Sequence, residues 1–374
     1  MKYLILSCNT GQGHNACAEA IRETLVRRGA DCDVCDALSF ISPRFSGFIS
    51  KGFVFSYRYL PTLFGTCYAY VERHRDLLGE NSLSYRSLSR ASASLYELCR
   101  KENYDAILCT HTFASMMLTH VKKTYSLSAK TALVITDYTC YPGVETSQTD
   151  VCFIPAEGLT EEFCRYGTRS EIIASGLPIR QAFSEHIEYS EARRLLGLPP
   201  NTRHLLMMCG SMGCGPIPRL LKQLAKSKAE DVTVTVICGT NRRLLRSLQR
   251  KYGNDPRFRI CGYEKNISLL MDSADLYLTK PGGISVTEAA AKGLPLALIQ
   301  AVRGCEAHNM RFFVRSGGAI GDDSPARLAD RCLALLQNPD ALKRMSDCLL
   351  RCVPQDAAKT VVGYTEQMIK AYRP

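Results

Sequence analysis

Three short apolar runs in this 374-residue chain end in a turn bearing glycines and pass at once into a helix-forming segment. Residues 3–7 lead into Asn9-Thr10-Gly11-Gln12-Gly13-His14, residues 204–209 into Gly210-Ser211-Met212-Gly213-Cys214-Gly215, and residues 276–278 into Lys280-Pro281-Gly282-Gly283. A buried strand that turns sharply into a helix needs backbone freedom at the turn, and the amides of the helix start are left without partners in the helix. The rest of the chain repeats the rhythm. Strand candidates fall at 2–8, 31–37, 105–110, 131–136 and 150–154 in the first half, then at 204–209, 233–238, 259–261, 276–278 and 296–300, with helical segments between them. That alternation predicts an α/β protein of parallel sheets joined by right-handed crossovers. At 374 residues the chain exceeds what one core usually holds, which predicts two domains.

Composition narrows the function classes. The hydrophobic fraction is 46%, that of a globular protein, and no apolar run approaches the roughly 20 residues that span a bilayer. The opening MKYLILSCNTGQGH carries no signal-peptide cleavage pattern, so the expectation is a cytosolic chain. Its 18 cysteines are scattered through strands and helices, as buried reduced thiols would be. Cys32 and Cys35 form one C-x-x-C without a second pair at zinc-site spacing, and Cys348 and Cys352 share a predicted helix that they help to pack. Lys and Arg number 47 against 36 Asp and Glu, a net charge of +11 that favours anionic partners. Nucleotide diphosphates, acidic lipid headgroups and nucleic acid all qualify, but no nucleic-acid recognition motif is present.

Residues 279–309 hold the densest set of candidate ligands. Amides at the helix start around Gly282, Gly283 and Ser285 suit phosphate oxygens. Glu288, further along that helix, suits the two hydroxyls of a ribose, and Glu306 and Asn309, beyond the strand 296–300, suit hexose hydroxyls. The alternative is an ordinary strand, turn and helix of an α/β domain. At the amino terminus Gly11 and Gly13 allow close backbone approach. His14 stands near the positive end of a helix dipole, which disfavours imidazolium and suits a general base. A plain helix-capping histidine is the alternative. Asp137, just after the strand 131–136, either orients that histidine or the acceptor, or caps a loop.

These segments resemble GT-B glycosyltransferases, closest to the family of monogalactosyl- and glucosyl-diacylglycerol synthases and more distantly the enzyme that forms lipid II. The resemblance covers nearly the whole chain and is strongest at residues 3–20, 174–183 and 260–309. It implies two Rossmann-like domains facing across a cleft, an N-terminal acceptor domain at 1–183, a UDP-sugar domain at 184–355, and a terminal helix at 356–374 crossing back. His14 falls where the family places the base that deprotonates the acceptor hydroxyl, Glu288 where it binds ribose, and Glu306 and Asn309 where it reads the hexose. Ser211 falls in a turn that contacts the diphosphate, Gly239 and Asn241 in the turn after strand 233–238, and Tyr263 beside the backbone that holds uracil. Ser175-Gly176-Leu177-Pro178-Ile179-Arg180 resembles the family's boundary motif. Two departures stand out: Cys305 replaces the glutamine before Glu306, and Tyr141 and Val144 stand where lipid-acting members often carry histidine and tryptophan.

The stretch 43–75 mixes aromatic and basic residues with almost no acid, which suits either attachment to an anionic bilayer or a buried aromatic helix pair. The resemblance implies the first, since that part of the family meets lipid. The expectation is therefore an inverting transferase, without a tightly bound metal or other cofactor, moving a hexose from a UDP-sugar to a membrane lipid hydroxyl such as that of diacylglycerol. It would act peripherally at the cytoplasmic face of the membrane and bind no nucleic acid. A transferase with a soluble acceptor, or a silent sugar-nucleotide-binding protein, are the alternatives.

Overall fold

A computed structural model of the protein describes residues 1–227, 229–299 and 304–372. The chain forms two compact units, one built from Met1–Gln181 together with the segment from Pro354 onward, the other within residues 182–353.

The first unit runs β1 (Lys2–Ser7), α1 (Gln12–Arg27), β2 (Asp31–Asp36), then four helices in succession: α2 (Pro43–Tyr59), α3 (Pro61–Arg73), α4 (Leu83–Ser89) and α5 (Ser92–Glu102). It continues with β3 (Ala106–Cys109), α6 (Thr112–Thr124), β4 (Lys130–Val134), β5 (Val151–Ile154), α7 (Thr160–Arg165) and β6 (Glu171–Ala174). Its sheet is wholly parallel in the order β2-β1-β3-β4-β5-β6. Inner strands such as β1 and β3 are buried along their length because helices cover both faces, so they read as apolar runs rather than alternations. Edge strand β2 (DCDVCD) keeps Asp31, Asp33 and Val34 exposed. Cys32 and Cys35 are three apart on it and point to opposite faces. Among the described residues no group of three or more His, Cys, Asp or Glu converges as a metal site.

The second unit runs α8 (Tyr189–Leu196), β7 (Arg203–Met208), α9 (Ile217–Lys226), β8 (Val232–Ile237), α10 (Arg242–Tyr252), β9 (Phe258–Cys261), α11 (Ile267–Asp272) and β10 (Leu276–Thr279). Then come α12 (Gly283–Ala291), β11 (Leu296–Ile299), α13 (Cys305–Arg315), β12 (Ala319–Asp322), α14 (Pro325–Leu336) and α15 (Pro339–Cys352). Its six parallel strands lie in the order β12-β11-β10-β7-β8-β9 around a core that includes Leu205, Met207, Val234, Val236, Leu276 and Leu278. The last helix, α16 (Ala357–Tyr372), belongs to the first unit, where Glu366 pairs with Arg28 at 2.9 Å and Tyr364 donates to Glu171 at 2.6 Å.

Two strands lie outside the sequence-derived candidates. Both β6 and β12 are four residues long and sit at sheet edges, where short, half-exposed segments carry little apolar signal, and a glycine interrupts β12. Gln300, at the end of the expected strand 296–300, lies outside the described residues.

Strand order decides where each unit can hold a ligand. In the first, the chain leaves β1 for β2 on one side and returns to β3 on the other; in the second, β7 leads outward to β8 and the later strands start from β10. At such a reversal the two loops leaving the carboxyl ends of adjacent strands diverge and open a crevice. The glycine turns after β1, β7 and β10 all stand at these points.

Candidate functional site

At the reversal of the first unit, Gly11 caps α1 with extended backbone, no side chain caps the helix, and no acidic residue lies in its first turn. The amides of Gln12, Gly13 and His14 therefore start the helix without partners in it. His14 Nδ1 lies 2.8 Å from the Thr110 carbonyl oxygen and 3.0 Å from the Thr136 hydroxyl oxygen. A carbonyl only accepts, so Nδ1 carries the hydrogen and donates it, and Nε2 of the neutral ring holds a lone pair. Burial pushes the His14 pKa down to about 4, against the opposing pull of the Thr110 carbonyl. The ring is thus a neutral base with one fixed tautomer at ordinary pH.

The loop after β3 supplies a second imidazole. His111 caps α6, its Nδ1 accepting the Phe113 amide hydrogen at 3.0 Å, and its ring centroid lies 4.5 Å from that of His14 at an interplanar angle of 67°. Burial, and then the neighbouring His14, hold its pKa well below the ordinary value. Thr110, His111 and Thr136 were not singled out in the sequence. His111 had a signal, since it follows its strand as directly as the His14 turn follows β1. Thr136 had only its place before Asp137, which occupies a partly buried bend beyond β4.

In the second unit the turns after β7 and β10 leave adjacent strands, Met208 pairing with Thr279. Helix α12 begins at Gly283 with Gly282 as its cap, again without a side-chain cap or an acid in the first turn. Ser285, in that turn, shares a 2.8 Å hydrogen bond with the Tyr277 hydroxyl. Glu288 lies in the second turn and is buried. Lys280 Nζ meets Glu306 Oε1 at 2.6 Å, which ties the β10 turn to the start of α13, and a Cβ on Gly210 would come 3.0 Å from the Lys280 Cε, so the lysine stem also lies against the β7 turn. Asn309, fully buried on α13, donates its amide to the Pro281 carbonyl at 2.9 Å and holds the glycine turn in place. Lys280 was visible in the sequence only as the residue before a Pro-Gly-Gly turn; its pairing with Glu306 needed the fold.

Other candidates from the sequence prove to be built into the scaffold. The Ser211 carbonyl accepts from the Thr240 amide at 2.9 Å, and a Cβ on Gly239, whose φ is +57°, would stand 2.0 Å from that oxygen. Conversely, a Cβ on Gly213 (φ +55°) would stand 2.2 Å from the Cys238 carbonyl oxygen. The two turns thus interlock through glycines. Asn241 caps α10, accepting from the Leu244 amide at 3.0 Å, and donates to the Gly213 carbonyl at 3.3 Å. Tyr263 is 65% exposed in the turn after β9.

Segment 43–75 is not a buried aromatic pair. On α2 and α3, Phe53 and Phe64 meet edge to face at 5.0 Å, while Phe48 (75% exposed), Phe55 (57%), Tyr59 (61%) and Leu63 face outward. Helix α2 contains no acidic residue. Among the described residues no helix is long and apolar enough to cross a membrane.

Comparison with known proteins agrees with both halves. Residues 14–179 match the monogalactosyldiacylglycerol (MGDG) synthase family model, and residues 204–361 match the glycosyltransferase family 28 C-terminal domain. Similar curated proteins include the processive diacylglycerol beta-glucosyltransferases of Bacillus subtilis (27% identical, covering 92% of this chain and 89% of that one) and Staphylococcus epidermidis (25%, covering 98% and 91%). Among solved structures, MurG of Acinetobacter baumannii superposes with a TM-score of 0.66 at 14% identity over 98% of this chain and all of that one. The S. aureus MnaA–UDP structure gives 0.64 at 13% identity, over 99% of this chain and 97% of that one. These structural likenesses establish the GT-B α/β fold. With the two sequence modules present in order along the chain, this protein belongs to the glycosyltransferase family in which an MGDG-synthase domain precedes a family 28 C-terminal domain.

Proposed function

We propose that this enzyme transfers a hexose from a UDP-sugar to the hydroxyl of a membrane lipid, 1,2-diacylglycerol, with inversion at the anomeric carbon. The observation that carries the reading is the His14 ring, held in the tautomer whose Nε2 lone pair is free of backbone partners at the strand reversal of the first unit. The acceptor oxygen attacks the anomeric carbon, the bond from that carbon to the diphosphate breaks, UDP departs, and the acceptor proton moves to His14 Nε2. Thr110 and Thr136 hold the ring; Asp137 lies beside them in sequence and orients the acceptor.

In the second unit the uncapped start of α12, at Gly282, Gly283 and Ser285, receives the diphosphate, a preorganised set of donors that meets the charge developing on the leaving group. Glu288 binds the ribose and Tyr263 borders the uracil. Glu306 reads the hexose while Lys280 fixes its carboxylate, and Asn309 acts by holding the turn. Gly13, Ser211, Gly239 and Asn241 shape the loops that admit the donor. Charge balance rests on these groups, with no tightly held metal. The outward rings of α2 and α3, on a chain of net charge +11, support peripheral attachment to an anionic bilayer at its cytoplasmic face. The names of the similar diacylglycerol glucosyltransferases favour the same acceptor.

The test is UDP release by the purified protein with UDP-glucose, UDP-galactose or UDP-N-acetylglucosamine, with and without diacylglycerol in anionic liposomes. Release that depends on the lipid, with one donor preferred, is the expected result. Release that is equal with and without lipid, or absent with every donor, overturns the proposal.

A further inference from the structure

The two imidazoles at the reversal of the first unit are locked in opposite tautomers. His14 donates from Nδ1 to the Thr110 carbonyl, which leaves Nε2 as an acceptor. His111 accepts at Nδ1 from the Phe113 amide, which leaves its hydrogen on Nε2 as a donor. Their ring centroids are 4.5 Å apart. One ring therefore offers a proton acceptor and the other, beside it, a hydrogen-bond donor. Each assignment comes from a backbone partner whose role cannot reverse.

A ligand that satisfies both rings presents a hydroxyl hydrogen to His14 and, on a neighbouring carbon, an oxygen that can only accept. We infer that His111 is a specificity-determining residue for the acceptor, its Nε2–H binding the ester oxygen next to the hydroxyl that His14 deprotonates. The inference rests on the transferase reading above and deepens it, since it names the feature of the lipid that the first unit recognises: a free hydroxyl vicinal to an ester. A simple long-chain alcohol satisfies only His14 and leaves the His111 donor without its ester oxygen, forfeiting about one hydrogen bond.

Because His111 also caps α6, two variants separate its roles. His111→Asn keeps an acceptor where Nδ1 stands, and so the cap, but removes the Nε2 donor. His111→Gln places an amide donor near Nε2 and gives up the cap. The measurement is the ratio of kcat/KM for 1,2-diacylglycerol to that for a 1-acyl-1,3-propanediol, which has the hydroxyl but no vicinal ester, both in the same liposomes. Wild type is expected to favour the diester by about tenfold, the worth of one hydrogen bond. His111→Gln should retain that preference despite a lower melting temperature, whereas His111→Asn should lose it with its melting temperature kept. A preference undiminished in His111→Asn overturns the inference. Nitrogen-15 NMR of the histidine rings decides the point separately from turnover. His111 protonated on Nδ1 refutes the inference whether or not the wild type transfers sugar, whereas Nε2 protonation in a protein that transfers none overturns it through the transferase reading and not through the tautomer.

Discussion

Glycines 239 and 282 look alike in the sequence, each closing a strand before a helix, yet alanine at the two positions should have opposite effects. At Gly239 the φ of +57° costs an L-residue about 1–2 kcal/mol. The new Cβ would also stand 2.0 Å from the Ser211 carbonyl oxygen and 2.7 Å from its carbon, so that peptide must move. Moving it strains the packing and loosens the 2.9 Å bond from the Thr240 amide, and the sum is about 3–6 kcal/mol. That is a large share of the 5–15 kcal/mol typical of a domain, so Gly239→Ala should unfold at markedly lower urea. At Gly282 the backbone is ordinary, with φ −76°, and nothing lies within 4 Å of a Cβ. A poorer cap and a stiffer unfolded chain nearly offset each other there, leaving stability within about 0.5 kcal/mol of wild type. The methyl would nevertheless occupy the space where phosphate oxygens approach the start of α12, raising the Kd for UDP at least about tenfold, or about 1.4 kcal/mol. Urea melts followed by circular dichroism, with calorimetric titration of UDP, measure both. Wild-type UDP affinity in Gly282→Ala would refute the phosphate seat, and a wild-type urea midpoint in Gly239→Ala would refute the interlock.

Four further outcomes are expected. His14→Ala should lower kcat by about 10²–10⁴-fold while UDP binding stays near wild type, and a folded variant that still turns over removes His14 as the base. Because burial puts the His14 pKa at about 4, below its unfolded value of 6.5, the acid limb of kcat/KM should lie near pH 4; a limb near 6.5 contradicts the fixed neutral ring. His204 is fully buried between Thr235 and Ser273 with a pKa also lowered to about 4, so the stability it confers is whole above pH 6.5 and is lost as pH falls through about 4. That contribution is about 3 kcal/mol, and a urea midpoint flat across this window would argue against it. Finally, Phe48→Ser with Phe55→Ser should weaken sedimentation with anionic liposomes by tenfold or more without lowering the melting temperature, since both rings are exposed. Unchanged vesicle binding would shift the membrane contact elsewhere.

The α/β class, both glycine turns of the second unit and the His14 turn were legible in the chain itself, because each depends on neighbours a few residues away. An apolar run ends, glycines allow the turn, and helix formers follow. Strands β6 and β12 escaped notice because an edge position relaxes the burial that makes a strand readable. Tertiary structure alone decided which residues meet. It brought Thr110, 96 positions away, and Thr136, 122 away, to the same nitrogen of His14, and so assigned that ring its tautomer. It set His111 against His14 and Lys280 against Glu306, and it turned Gly239 and Asn241 into parts of a frame. Contacts of that kind follow from strand order, which places the ends of β1 and β3, or of β7 and β10, side by side, and strand order is a property of long-range packing rather than of local pattern.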